Sequence, residues 1–296
     1  MGDAYKGFKS KEGYESYQAA YKEVTKLWEI PYRNETIHTS FGDVSVIVCG
    51  TKKKEPLVLL HAFGFSSLEW YGCVERLAED FQLYFIDVLG EFNQSNTKEH
   101  LNEREGYAKW ITEVFDHFGI ARVSIVGHSN GGWHAINYAC LKPERVKSLI
   151  ILSPAASIKR MNLSFYFRLF FTNLIPSRSI VIDHFCSWLT SRKRTEHQKL
   201  FELYYRGQKF VQWEYVMTPP KLFKDEELKT LTMPVFIAVG KNEVIYDPYR
   251  MLERASDKIQ SAKTHMFEDG GHMLPIEIPD QVSDYIVAVM KNNLQN

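Results

Sequence analysis

Short runs of continuously apolar residues recur along the chain and predict the strands of a buried sheet. The run at 57–60 has no polar position, and four more short apolar runs follow it: 83–86, 123–126, 149–152 and 235–239. A strand covered by helices on both faces has this continuous pattern, whereas a strand with one wet face alternates. The runs therefore predict a mostly parallel sheet.

Between and before these runs, apolar residues recur at the three- and four-residue spacing of a helix. The clearest sets are Tyr14, Tyr17, Tyr21, Val24 and Trp28 near the start, and Ile111, Val114, Phe115 and Phe118 between two strands. Both sets predict amphipathic helices, and residues 35–38 and 44–48, split at 41–43, predict a β-hairpin. Strands alternating with helices imply right-handed crossovers and an α/β fold. Ligands of such sheets bind beyond the carboxyl ends of the strands.

The stretch between 152 and 235 interrupts this alternation. It has no buried-strand run, and its aromatic residues recur at helical spacing: Phe165, Tyr166, Phe167, Phe170, Phe171, Phe185 and Trp188. A structureless loop of that length is rare in a compact domain. We predict a helical cap at 155–229 over the carboxyl edge of the sheet, inserted in a core of 1–154 and 230–296. An ordinary crossover with long helices is the alternative.

Composition is typical of a globular protein. Hydrophobic residues make up 45% of the chain and charged residues 24%, and 36 Lys and Arg balance 36 Asp and Glu. Nucleic-acid binders usually carry a basic excess, so no nucleic-acid partner is expected. The basic run at 192–194 is interpreted as a solvated face.

The scattered cysteines and the lack of a long apolar stretch predict a cytoplasmic location. Four scattered cysteines without C-x-x-C spacing indicate free thiols: Cys49, Cys73, Cys140 and Cys186. Residues 1–30 carry charge throughout and have no apolar signal-peptide core. The most apolar stretch, 165–175, contains Arg168 and is shorter than the ~20 residues of a membrane span. We expect no membrane partner.

A nucleophile motif follows the third of these apolar runs. Residues 127–131 read Gly-His-Ser-Asn-Gly, the G-x-S-x-G pattern of a sharp turn between a strand and a helix. Glycines on either side let backbones approach where a Cβ would clash, and the helix N-terminus favours negative charge beside the serine. Ser129 is the predicted nucleophile. His128 is interpreted as a packing and hydrogen-bonding residue, and His134 as a structural residue.

A serine hydroxyl needs a base to take its proton and a carboxylate to orient that base. His272 follows the expected last strand, 263–267, and is the predicted base. The acid should lie between Ser129 and His272 in the chain. Glu243 and Asp247 both follow the run at 235–239; Glu243 is favoured because it is nearer the strand end.

Two backbone N–H groups near the nucleophile are needed to stabilise an oxyanion. Asn130, directly after Ser129, supplies one. Phe63, in the loop after the run at 57–60, is predicted to supply the other. His61 is interpreted as a support for this loop.

These motifs together resemble the α/β-hydrolase superfamily from about residue 36 onward. Segments 61–64, 127–131, 240–247 and 270–272 match its oxyanion loop, elbow, acid loop and histidine loop, and 87–95 is similar to its D-x-x-G-x-x-x-x-S segment. More narrowly, 66–71 and 242–248 are similar to the bacterial carboxylesterase NP group, whose acid is a Glu, which supports Glu243. The resemblance implies a mostly parallel, eight-stranded sheet flanked by helices, with an inserted helical cap.

The resemblance also implies a serine esterase acting on carboxylic esters, and the aromatic cap suggests an apolar or aryl substrate. Enzymes with the same triad act on thioesters, lactones or C–C bonds, or catalyse perhydrolysis. A non-catalytic ligand-binding protein on this scaffold is a second class, which loss of a triad residue would indicate; all three residues are present. No H-E-x-x-H, P-loop or G-x-G-x-x-G motif occurs, so neither metal nor cofactor is expected.

Two positions depart from the family pattern. Ala62 stands where the oxyanion loop usually has Gly, and it is strained only if its φ is positive. Asn130 stands where Met, Leu or Phe is common and puts a polar side chain near the acyl pocket.

Overall fold

One mixed sheet organises the computed structural model, which describes residues 7–98, 100–191, 197–212 and 221–294. Its strands are β1 (Tyr32–Thr39), β2 (Gly42–Cys49), β3 (Glu55–Leu60), β4 (Phe81–Ile86), β5 (Asn96–Thr97), β6 (Val123–His128), β7 (Val146–Leu152), β8 (Val235–Gly240) and β9 (Ala262–Phe267). The main path has the order β1-β2-β4-β3-β6-β7-β8-β9, and β5 pairs with β2. The predicted eight strands form that path, and the two-residue β5 is an addition.

Helices cover the sheet. They are α1 (Lys11–Thr25), α2 (Val74–Ala78), α3 (Arg104–His117), α4 (Asn130–Leu141), α5 (Leu163–Leu174), α6 (Ser187–Leu189), α7 (Gln198–Phe210), α8 (Asp225–Lys229), α9 (Pro248–Lys258), α10 (Leu274–Glu277) and α11 (Pro279–Leu294). Short 3₁₀ helices span Ser67–Trp70 and Pro143–Arg145, and Ser179–Cys186 is a π-helix. None of the described helices is long and apolar enough to cross a membrane.

The apolar runs are strands buried on both faces, as predicted. Every residue of β4, β6 and β8 is buried. Pairing is parallel from β4 through β3, β6, β7 and β8 to β9, whereas β1, β2 and β5 are antiparallel additions at one edge. The parallel register brings the carboxyl ends of the central strands together: Gly127 of β6 lies beside Leu60 of β3 and Ile151 of β7.

The predicted N-terminal amphipathic helix is α1, which packs on α7. Ser10 caps it by accepting a hydrogen bond from Gly13 N–H, a favourable N-cap geometry. Tyr17 and Val24 are buried on its inner face. The helix ends at Thr25, one turn before Trp28, whose buried ring lies edge-on to Phe85 of β4.

The segment between β7 and β8, residues 153–234, is here called the insert. Its described residues form helices α5 to α8 and the π-helix, and none of them lies in a strand of the sheet. It packs on the carboxyl edge: Tyr204 stacks on Phe65, with ring centroids 4.7 Å apart, and Phe223 stacks on Trp133. The basic run at 192–194 lies outside the described residues.

Candidate active site

Ser129 occupies a strained turn between β6 and α4. Its φ is 51° and its ψ −111°, a conformation that L-residues rarely adopt and that commonly marks functional sites. A Cβ at Gly127 would lie 2.4 Å from the Gly131 carbonyl oxygen, and one at Gly131 would lie 2.2 Å from the Leu60 carbonyl oxygen. Both glycines are therefore required by the close packing of the turn.

The structure brings His272 to Ser129 across 143 residues of chain. The Ser129 Oγ lies 2.9 Å from His272 Nε2, and both side chains are buried. The Ser129 backbone is fixed to the end of β7 and the start of the insert, because its N–H donates to Leu152 O and its carbonyl accepts from Ala155 N–H. The hydroxyl is thus held at hydrogen-bond distance from the imidazole.

Glu243 faces the opposite side of the imidazole. Its Oε2 and Oε1 lie 2.9 Å and 3.0 Å from His272 Nδ1. The carboxylate also accepts hydrogen bonds from the backbone N–H groups of Val244 and Ile245. Burial opposes ionisation, but the His272 imidazole and the Ile245 N–H hold the pKa of Glu243 below its ordinary value.

These contacts determine which ring nitrogen of His272 carries the proton. A carboxylate accepts the Nδ1–H, which leaves the lone pair of Nε2 free to accept the Ser129 hydroxyl proton. The arrangement can therefore generate a nucleophilic alkoxide without any other group.

Asp247, the other candidate acid, caps a helix and does not contact His272. Its Oδ1 accepts a hydrogen bond from Arg250 N–H at 3.1 Å and caps α9. Its side chain is half exposed and makes a long ion pair with Arg250. The structure thus places Glu243, and not Asp247, against His272.

The two predicted oxyanion donors lie in the loop after β3 and at the start of α4. Within the described part of the chain, the Phe63 N–H donates to no protein acceptor. Ala62 is not among the described non-glycine residues with positive φ, which are Ser66, Ser129, Ser153 and Ala156. The alanine therefore imposes no backbone strain on this loop.

His61 supports the oxyanion loop, as interpreted from the sequence. Its Nδ1 donates to Ala62 O at 2.8 Å, and its Nε2 accepts from Val88 N–H at 3.0 Å. One nitrogen donates and the other accepts, so the ring is neutral.

Glu91 is a buried carboxyl group that the sequence analysis did not single out. It accepts hydrogen bonds of 2.7 Å from the Gly64 N–H and from the Asn130 side-chain amide. Burial raises the pKa of Glu91 to about 7, although these two donors oppose the shift. The Asn130 side chain thus binds Glu91. A lone acid in a loop gives no sequence signal of such a contact.

Glu277 is a second buried carboxylate that sequence reasoning missed. Its Oε1 accepts from Met273 N–H, and its Oε2 accepts from Gly271 N–H and from Ser191 N–H of the insert. It therefore holds the backbone on both sides of His272 and ties this loop to the insert. No group of three or more metal-binding side chains occurs among the described residues.

Comparisons with known proteins agree with this architecture. A sequence profile of the alpha/beta hydrolase fold matches residues 55–185. The chain is 32% identical over 279 residues to the uncharacterized carboxylesterase nap of Bacillus subtilis, covering 92% of this chain and 91% of that protein. It is 28% identical to carboxylesterase YbfK of the same organism, over 94% of each chain.

A solved structure extends the likeness to the backbone. The crystal structure of naproxen esterase (carboxylesterase NP) from Bacillus subtilis superposes with a TM-score of 0.88 at 30% identity, covering 95% of this chain and 99% of that chain. Sequence and backbone thus agree over nearly the whole length, and the chain belongs to the α/β-hydrolase family.

Proposed function

We propose that this protein is a serine hydrolase that cleaves carboxylic esters. Ser129 is the nucleophile, His272 the general base and then the general acid, and Glu243 the group that orients the imidazole. One observation carries the proposal: the continuous hydrogen-bonded chain from Ser129 Oγ through His272 to Glu243, at the carboxyl ends of the central strands. The carboxylesterase names of the relatives support the choice of bond.

The reaction runs in two halves. Ser129 Oγ attacks the ester carbonyl carbon while its proton passes to His272 Nε2. The tetrahedral intermediate collapses as His272 returns that proton to the departing alkoxide, which leaves as an alcohol. Water then attacks the acyl-enzyme by the same route, releasing the carboxylic acid and restoring Ser129.

The oxyanion of each tetrahedral intermediate accepts hydrogen bonds from the backbone N–H groups of Phe63 and Asn130. The Phe63 N–H has no acceptor among the residues that the structure describes, which supports this assignment. Asn130 N–H belongs to the first turn of α4, where backbone N–H groups and the helix dipole favour negative charge. A donor of this kind contributes about 10²–10³ to kcat.

The insert acts as a cap that selects apolar acyl or aryl groups. An aromatic row supports this: Phe63 contacts Phe92, Phe92 contacts Tyr204, and Tyr204 stacks on Phe185 of the π-helix. The row links the oxyanion loop to the helices of the insert. The relative of known structure is named naproxen esterase, which supports an ester substrate.

A reducing compartment, the cytoplasm, suits the four free cysteines of the chain. Burial raises the pKa of the Cys49 and Cys140 thiols to about 11, so they are poorly reactive at neutral pH.

The test is hydrolysis of p-nitrophenyl acetate, butyrate and octanoate and of a bulky aryl-propionate ester. We expect turnover by the wild-type protein and its loss, by at least a thousandfold, in Ser129→Ala. Ser148→Ala is the matched control, because Ser148 is an equally buried serine of β7 that bonds Ser124 in the core. Folded wild-type protein without turnover on any of the four would contradict the proposal.

A further inference from the structure

His128 uses both ring nitrogens to bind acceptors beside the candidate active site. Its Nε2 lies 2.8 Å from the backbone carbonyl oxygen of His272, and its Nδ1 lies 3.2 Å from Oε1 of Glu69. A carbonyl oxygen can only accept, and a carboxylate can only accept. Both hydrogen bonds therefore need a proton, so the ring is an imidazolium paired with a carboxylate.

The electrostatics agree with this geometry. Burial opposes a charge on the ring, but the Glu69 carboxylate beside it raises the pKa of His128 above its ordinary value, and the His272 carbonyl and Glu243 act in the same direction. Trp70 covers the ring, with its indole edge-on at 6.5 Å. Both members of the pair are completely buried.

Glu69 extends the pair to the oxyanion loop. The same Oε1 that faces His128 accepts a hydrogen bond of 3.0 Å from the Ala62 N–H. Ala62 directly precedes Phe63, the proposed oxyanion donor, and His128 directly precedes Ser129. The pair thus contacts the nucleophile turn, the histidine loop and the oxyanion loop, which are remote from one another in sequence.

We propose that the His128–Glu69 ion pair is a positioning device that fixes the oxyanion loop and the His272 loop relative to Ser129. The inference rests on the proposed function. The stability of the protein does not require this pair, because a protein with well-packed apolar residues of similar volume in its place is often as stable or more stable. The position of the catalytic groups does require a rigid contact, because a displacement of about 1 Å at a catalytic group can lower the rate by on the order of 10².

Paired apolar replacement tests the positioning role. In Glu69→Leu/His128→Leu no unpaired charge remains, so we expect a folded protein whose melting temperature falls by a few degrees at most, because the Ala62 N–H and the His272 carbonyl lose their partners. We expect kcat for p-nitrophenyl butyrate to fall by about ten- to a hundredfold with KM within about twofold, because substrate contacts are untouched. A folded double variant with wild-type kcat overturns the proposal.

The Glu69→Gln variant distinguishes the effect of the hydrogen bonds of this side chain from the effect of its charge. In Glu69→Gln the amide oxygen stands in the place of Oε1 and accepts from Ala62 N–H, and a neutral His128 still donates its Nε2–H to His272 O. We expect kcat to recover to within about fivefold of wild type. Ser124→Ala/Ser148→Ala is the matched control: it removes a buried polar pair in the core strands and should leave kcat unchanged.

Imidazole NMR supplies a readout that needs no substrate. We expect two ring N–H protons on His128 in wild-type protein at pH 7 and one in Glu69→Gln. The His272 Nδ1–H signal, which reports its contact with Glu243, should shift in the Leu/Leu variant. A single ring proton on His128 in the wild-type protein, or an unchanged His272 signal in the Leu/Leu variant, overturns the proposal even if wild-type protein cleaves no ester. Absence of turnover alone contradicts only the proposed function.

Discussion

At the scale of single residues, the difference between Glu243 and Asp247 has a direct kinetic consequence. Glu243→Gln removes the charge that orients His272 and stabilises its protonated form, so we expect kcat to fall by about 10³–10⁴. Asp247→Ala removes only the cap of α9, so we expect normal kcat and a loss of about 1 kcal/mol in unfolding free energy. Ester hydrolysis and urea unfolding of both variants check this. A severe kcat loss in Asp247→Ala would contradict the assignment.

Glu91 gives the stability of the protein a component that depends on pH. Its pKa is about 7 in the folded protein and near 4.5 in the unfolded chain. The folded state therefore binds more protons between these values, so the contribution of Glu91 is fully present below pH 4.5 and is lost as pH rises through 7.

Comparison with Glu91→Gln isolates this contribution, since the variant cannot ionise there. We expect the stability of wild type relative to the variant to fall by about 3 kcal/mol between pH 4.5 and pH 8. Urea unfolding of both proteins across that range measures the difference. A pH-independent difference would show that Glu91 is ionised throughout.

At the scale of elements, the β6–α4 turn depends on the space at its glycines. Gly131→Ala places a Cβ 2.2 Å from a backbone oxygen of β3, which has no freedom to move, so we expect a loss of about 3 kcal/mol or more or failure to fold. Gly119→Ala is the control: no described atom lies within 4 Å of its added Cβ, so its positive φ of 66° is the only source of strain and the change should cost about 1 kcal/mol. Thermal unfolding distinguishes the two, and equal melting temperatures would contradict the steric argument.

Helix α5 carries most of the exposed large apolar side chains of the described chain. They are Leu163, Tyr166, Phe167, Phe170, Phe171 and Leu174, with Ile175 just after the helix. Their spacing of three and four residues gives one continuous face. The sequence signals an amphipathic helix here, but the periodicity does not indicate which face is buried.

Replacement on this face should therefore have little effect on stability. We expect Phe167→Gln and Phe170→Gln to change the unfolding free energy by about 0.5 kcal/mol or less and to reduce aggregation at high concentration. Phe185→Ala, at a buried ring of the π-helix, should cost about 3–5 kcal/mol. Urea unfolding and light scattering check both; a large stability loss in Phe167→Gln would show that the face is covered.

At the scale of the whole molecule, the buried thiols report on global unfolding. Burial raises the pKa of Cys73 and Cys186 well above the ordinary value, and that of Cys49 and Cys140 to about 11. We expect no rapidly reacting thiol in native protein with a disulfide reagent at pH 8, and four after denaturation. A fast thiol in the native state would identify a locally open segment.

The sequence by itself determined the local elements and their order. The runs at 83–86, 123–126 and 235–239 are parts of β4, β6 and β8, because a strand that is buried on both faces is apolar at nearly every position. The glycines around Ser129 signalled a sharp turn, because that conformation is accessible to few sequences. The eight-stranded sheet followed once these elements were compared with a known family.

Only the tertiary structure decided which polar groups meet. Glu243 and Asp247 satisfy the same spacing rule, and their different partners emerge only when the acid loop and the His272 loop are side by side. Glu69 reaches His128 across 59 residues and His128 reaches His272 across 144, so no local pattern encodes these contacts. Hydrophobic periodicity is a property of neighbouring residues, whereas a buried charge is stabilised by distant partners, and folding alone brings them together.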